Sequence, residues 1–230
     1  MKHSFFIFLV FLFPISFIAQ EINQKEIDSL YKEDQFFLGI TYNLIGNIPN
    51  GISQSGFSLG FQLGFIKDMP LTEKRNVALG IGLGYSSNSY NHNLLVNKDM
   101  NGNYIYQILD DTNTYSKNKF SNHLIELPIE FRWRTSNPSD YNFWRIYTGF
   151  KLGYVLNNST KYNGELGTIK YNNHANFNDF QYGLTLSLGY NTWNLYMYYG
   201  LNPIFSNVVN LNGDSIDMNA IKIGLMFYIL

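Results

Sequence analysis

Two glutamates, Glu126 and Glu130, stand four residues apart in a stretch that also carries Ser121, His123 and Arg132. A carboxylate pair can divide acid and base roles in glycoside hydrolysis, but only within roughly 5 to 9.5 Å. On a strand, four residues at about 3.3 Å each set these carboxylates about 13 Å apart. Ser121 and His123 are a second candidate, a nucleophile and its base on one strand face, as a lipid-modifying enzyme would need. No acidic residue stands where it would orient the imidazole. His92 and His174 read as isolated loop residues, Asp110-Asp111 and Asp214 with Asp217 as solvated loop charges, and no spacing fits a set of metal ligands. The chain therefore reads as non-catalytic, with no cofactor or metal.

The elements that carry these residues are strands with a strict period of two. Along the last eleven residues, Ile221, Ile223, Leu225, Phe227 and Ile229 form one apolar row. Lys222, Gly224, Met226, Tyr228 and Leu230 form the other. The same alternation recurs in seven earlier segments, whose apolar rows begin at Leu38, Phe57, Val77, Ile125, Trp144, Tyr182 and Trp193. The opposite rows hold most of the glycines and all the mid-strand charges. A lumen lined by eight strands is just filled by side chains and suits that mixture, whereas a bulky apolar row suits lipid. The predicted fold is all-β, an eight-stranded antiparallel up-and-down transmembrane β-barrel. Its connections, at 46–54, 68–74, 91–118, 135–141, 157–177, 191–192 and 202–218, alternate short and long after the first. They become short periplasmic turns and long external loops.

Within that barrel the charges of the fourth and fifth strands read as an interior network of Glu126, Glu130, Arg132, Arg145 and Lys151. Setting Trp133 opposite Trp144 places Glu130 across from Tyr147 and Glu126 across from Lys151. A shift of two places Glu130 across from Arg145 instead. Either way each glutamate has a cation across or diagonal to it, as a buried charge requires. The turn at Asn191-Thr192 sets Ser187 opposite Tyr196 and Thr185 opposite Tyr198, small against large. Trp133, Trp144 and Trp193 all adjoin short turns on the lipid-facing row, one aromatic girdle where rings meet headgroups, with Tyr85, Tyr154 and Tyr199 toward the other end. Lys67, Lys74 and Arg75, beside Asp68 and Glu73, mark a periplasmic turn that is a possible docking surface, and Arg134 lies by the next turn.

The first residues address the chain rather than build it. Lys2 and His3 precede the apolar run Phe5–Phe13, Pro14 breaks it and Ala19-Gln20 offers a cleavage point. Residues 1–19 thus read as a secretory signal peptide, 20–34 as a short periplasmic segment and 35–230 as the barrel domain. There is no cysteine, hence neither a disulfide framework nor a lipoprotein acylation site. A mean hydropathy of −0.16 with 45% hydrophobic residues is low for a helical membrane protein and ordinary for a barrel. Without Lys2 the charge is 15 basic against 17 acidic residues, and no basic surface suggests nucleic acid.

Two resemblances add to this reading. Lys222, Gly224, Phe227 and Ile229 resemble the C-terminal recognition signal of outer-membrane barrels, which implies delivery by the barrel-assembly machinery and outer-membrane lipid as solvent. The stretches 64–70, 127–134, 143–147, 199–203 and 223–230 are similar to the PorT family of Bacteroidota outer-membrane barrels. That resemblance implies an accessory, non-catalytic component of the type IX secretion and gliding machinery, in contact with its translocon or motor proteins. A free-standing structural or adhesive barrel, binding through its external loops, is the alternative.

Overall fold

The computed structural model describes residues 33–110, 112–135, 143–206 and 208–229. The expected leader and all but the last two residues of the segment at 20–34 lie outside the described residues. Eleven strands follow one another: β1 (Gln35–Gly46), β2 (Leu59–Pro70), β3 (Val77–Asn91), β4 (Leu94–Lys98), β5 (Tyr104–Ile108), β6 (Tyr115–Arg134), β7 (Trp144–Gly164), β8 (Gly167–Asn172), β9 (Phe180–Tyr190), β10 (Trp193–Pro203) and β11 (Asn219–Ile229). Eight of them close a barrel in the order β6-β3-β2-β1-β11-β10-β9-β7, with β7 pairing back to β6. Every neighbour is antiparallel, and the first and last strands pair along their full length from Phe36↔Ile229 to Gly46↔Asn219.

Alternation decides what faces where. On β6, Ile125, Leu127, Phe131 and Trp133 are 38–49% exposed, whereas Glu126, Glu130, Arg132 and Arg134 between them are at most 5% exposed. All eight apolar rows read from the sequence point outward. A surface this apolar is an interaction or membrane surface, and the charges inside match a narrow polar lumen. Connections at one end are 71–76, 135–143 and 191–192; those at the other are 47–58, 92–114, 165–179 and 204–218. The first loop is longer than the sequence suggested, so short and long alternate from the start.

Three features differ from the sequence reading. The wide connections are not simple loops: β6 and β7 extend far beyond the barrel wall, β8 adds to β7, and β4 and β5 form a separate hairpin. A bulge on β7, between the pairs His123↔Asn157 and Leu124↔Val155, leaves Leu156 unpaired and switches the inward parity from Val155 to Asn158, Thr160 and Tyr162.

The third difference is the β6–β7 register, which is neither of the two anticipated. Trp133 pairs with Ile146, Arg134 with Arg145, Glu130 with Gly149 and Glu126 with Gly153. On the other side, Glu130 pairs with Gly80 and Glu126 with Gly84. Each inward glutamate is bracketed by two glycines, because a lumen this narrow has room for a long side chain only where its neighbours have none. At Gly149 an added Cβ would strike the carbonyl oxygen of Ile129 and lie 2.8 Å from the Cα of Glu130.

Candidate functional site

Described buried charges of the lumen comprise four carboxylates, Glu33, Asp68, Glu126 and Glu130, and five cations, Arg132, Arg134, Arg145, Lys151 and Lys222. They gather at two levels. At the turn end Asp68 is the hub. Arg134 grips it as a fork, Nη1 to Oδ1 at 2.9 Å and Nη2 to Oδ2 at 2.8 Å, the geometry in which guanidinium and carboxylate bind most strongly. Arg132 donates from Nη1 to the same Oδ1 at 3.2 Å and from Nε to Glu130 Oε2 at 3.1 Å. Glu33 lies 3.7 Å from Arg134 Nη1, and its backbone oxygen accepts from Arg132 at 3.3 Å. The Arg132 guanidinium also rests 4.7 Å over the Tyr147 ring. Arg145 covers the Phe143 ring at 4.4 Å and donates to the backbone oxygen of Asn191.

Midway along the lumen Glu126 is the second hub. Lys151 Nζ lies 2.9 Å from its Oε2 and Lys222 Nζ 3.7 Å from its Oε1, to which Ser86 also donates at 2.7 Å. Lys151 reaches across to Gln62 Oε1 at 2.7 Å and stands 5.1 Å over the Tyr196 ring. Above this level Asn88 bonds Ser86 and Asn122, and Asn122 bonds Gln181, a polar layer drawn from β3, β6 and β9. The anticipated Glu126–Lys151 contact is thus diagonal rather than directly opposite. Glu130 does not meet Arg145, the cross-strand cation anticipated for it; its partner is Arg132, two residues on along the same strand face, because the register moves Arg145 opposite Arg134. Ser187 stands opposite Tyr196 and Thr185 opposite Tyr198.

The loop end is closed by a folded cap. Tyr90, Leu94, Val96, Tyr106, Phe120, Phe177, Ile204, Phe205, Ile216 and Met218 form a buried core there. His92 and His174, expected as isolated residues of the external loops, are each 1% exposed and packed among aromatic rings. His174 stacks on Tyr104 with ring centroids 3.6 Å apart, and its Nε2 is 3.1 Å from the Tyr106 hydroxyl. Asn158 holds its backbone from both sides. His92 accepts the Leu94 N–H at Nδ1, 3.0 Å, and packs on Phe120. Burial lowers the His92 imidazole to about 3 and His174 to about 4, and raises the Tyr106 phenol. Aromatic residues of these connections follow no simple period, so the alternation that exposes strands is silent about the cap.

On the outside, Trp133, Trp144 and Trp193 stand at the turn end, 38%, 61% and 64% exposed. Trp144 packs on Tyr190 and Trp193 on Phe227. Ser121 and His123 both face outward, but each is engaged elsewhere. Ser121 Oγ is 2.9 Å from Ser159 Oγ, and His123 Nδ1 is 2.6 Å from the Tyr85 hydroxyl. No nucleophile–base contact joins them.

The turn-end basic group also divides. Lys67 and Lys74 are exposed, and the backbone oxygen of Arg75 accepts from Arg134 Nε at 2.9 Å. Asp68 and Arg134 point into the lumen, not to the rim, because β2 keeps its alternation through Pro70 and places Gln62, Gly64, Ile66 and Asp68 on one inward row. Continuing the period of two past Phe65 would have located Asp68 from the sequence. Lys222 and Gly224 of the C-terminal signal lie on β11, where Lys222 serves the Glu126 cluster. A Cβ on Gly224 would strike the backbone oxygen of Ile40 and lie 2.6 Å from Thr41 Cα.

Comparison with known proteins gives one family match, to the outer membrane protein beta-barrel domain, over residues 18–206. No curated protein matches the chain. Among solved structures the chain is similar to Ail, the attachment invasion locus protein of Yersinia pestis, at 9% identity and a TM-score of 0.39. The match covers 87% of this chain and 100% of Ail.

Proposed function

Since this chain belongs to the outer membrane protein beta-barrel domain family, we propose that it is a non-catalytic, non-conducting barrel that serves as an accessory component of the type IX secretion machinery. The observation that carries the accessory role is the filled lumen. Ion pairs at two levels and the cap core stand in the interior, and the described buried charges, five cations against four carboxylates, nearly cancel. A conduit needs a continuous wet path and usually a ring of one sign. The barrel therefore acts through its outer surface and rims. The secretion assignment itself is supported by the similarity of residues 127–134 and 223–230 to PorT-family barrels, and its partners are the translocon or motor proteins.

Three parts of the surface take roles in this reading. Trp133, Trp144 and Trp193 form the aromatic girdle at the periplasmic interface. Lys222, Gly224, Phe227 and Ile229 present the signal to the barrel-assembly machinery. Lys67 and Lys74, with Arg75 beside them, form the periplasmic docking rim. The test is export of a type IX cargo, followed by mass spectrometry of medium and cell surface, in a strain lacking only this gene and in its complemented derivative. Loss of export restored by complementation is expected; normal export in the deletion overturns the secretion role.

One observation favours a second reading, an adhesive barrel. The external connections fold into a cap that presents Met100, Leu166 and Leu211 to solvent, each more than 60% exposed. Replacing 93–110 and 165–172 by short turns abolishes surface binding if this reading holds.

A further inference from the structure

Lysines line up across the loop end of the barrel wall. Lys119 on β6 pairs directly with Lys161 on β7, and Lys161 pairs directly with Lys170 on β8. Lys117 stands two residues from Lys119 on the same outward side. Directly opposed side chains have Cβ atoms about 4.5–5.5 Å apart, and like charges so placed destabilise a sheet. Three in a row over adjacent strands repeat that cost twice. Among the described residues no carboxylate forms an ion pair with any of the four; the described salt bridges all lie inside the lumen. Lysine on an exposed edge strand guards against edge pairing, which accounts for Lys170 on β8. It does not account for Lys119 and Lys161, whose strands are paired on both sides.

Their level in the wall indicates what neutralises them. The outward row of β6 reads, from the turn end, Trp133, Phe131, Ile129, Leu127 and Ile125, then His123, Ser121, Lys119 and Lys117. The His123–Tyr85 pair marks the polar boundary of the apolar band. Lys119 lies four residues beyond it, about 13 Å along the strand and roughly 10 Å in height at a tilt of 35–45°. That is the level of headgroups and their first sugars. Next to Lys117 a hollow of about 460 Å³ is lined by Ser55, Phe57, Asn91, Tyr115 and Ser116, and Phe57 is 82% exposed, a polar recess with a free aromatic face.

We propose that Lys119, Lys161 and Lys170, flanked by Lys117, form a binding site for the phosphate groups of an anionic glycolipid in the outer leaflet. The site rests on the external orientation of the loop end, not on any role in secretion. It fixes the rotation and depth of the barrel in the membrane by a localised contact rather than by the apolar band alone.

The experiment compares the full barrel with a Lys119→Gln, Lys161→Gln, Lys170→Gln triple variant in nanodiscs. The discs hold phosphatidylcholine alone, or with bisphosphorylated lipid A, or with lipid A stripped of phosphate; native mass spectrometry counts lipid A retained per barrel. A Lys67→Gln, Lys74→Gln, Lys98→Gln variant controls for net charge, and heat-modifiable gel mobility checks folding. Each ammonium near an anionic surface is worth about a factor of five, so the triple variant loses roughly a hundredfold in affinity. The control keeps wild-type retention, and lipid A without phosphate is not retained. Equal retention by the folded triple variant, equal retention of lipid A without phosphate, or equal loss in the control each overturns the proposal. Binding of soluble inositol hexakisphosphate without retention of lipid A in discs overturns it too, by showing an anion site that no membrane lipid reaches.

Discussion

Asp68 shows what one residue does in a narrow lumen crowded with charge. It is fully buried, gripped by Arg134 through two bonds and shared with Arg132. Taking charges out of water costs several kcal/mol per ion, and the pair is tolerable only while each charge keeps its partners. Asp68→Asn keeps the shape and removes the countercharge, leaving two guanidiniums with Glu33 and Glu130 alone. The expected cost is about 3–5 kcal/mol, read as a lower urea midpoint for the folded barrel in micelles. Lys74→Gln, at the exposed rim a few residues away, changes the midpoint by less than about 0.5 kcal/mol. Equal midpoints for the two variants would show that Asp68 is solvated and not a hub.

At the scale of elements, glycine spacing sets how strands meet. Gly80 and Gly84 on β3, Glu126 and Glu130 on β6, and Gly149 and Gly153 on β7 share one four-residue interval, and aligning them reproduces both registers. Gly149 abuts backbone of β6, whereas the nearest atom to a Cβ on Gly153 is Leu124 Cδ2 at 2.8 Å, the end of a flexible chain. Gly149→Ala should therefore lower the urea midpoint by the equivalent of about 1–3 kcal/mol, and Gly153→Ala by clearly less; the reverse order would remove the close-approach argument. The cap is a second element with its own response. His92 and His174 stay neutral when folded, down to about 3 and about 4, but take a proton near 6.5 once exposed. The folded cap thus binds fewer protons. Its stability is complete above about pH 6.5 and falls as pH drops toward 4. Hydrogen exchange in β4–β5, corrected for intrinsic rates, should show protection lost between pH 7 and 4.5, with less change in His174→Asn. The two elements mark the reach of the sequence. Period-two alternation exposed all eight barrel strands and their lipid faces, because each face has one solvent. The register escaped because it was set by facing Trp133 with Trp144 across the turn, whereas the bracketing glycines place Trp133 opposite Ile146. The cap escaped because its core comes from separate connections, each with too few apolar residues to announce a buried face.

The whole molecule is a barrel filled at two places, by the charged side chains of its wall and by the cap. The cap core draws mainly on the long connections, with Tyr90 of β3 and Phe120 of β6, and runs into one buried cluster with the lumen aromatics Tyr147, Tyr196 and Tyr228, whereas the charges belong to strands of the wall and to Glu33. Removing the 93–110 segment of the cap therefore leaves the charged side chains of the wall in the chain. In planar bilayers the intact barrel should show no steady conductance, and neither should a variant whose 93–110 segment is replaced by a short turn, since Asp68, Arg132, Arg134, Glu126 and Lys151 still fill the lumen. Conductance steps should arise only when cap removal is combined with small neutral residues in the wall, such as Glu126→Ser with Lys151→Ser and Arg132→Ser. Even then an eight-stranded lumen admits only small ions. Steady conductance in the intact protein would make the lumen a pathway, and the accessory role argued from its closure would fall with it.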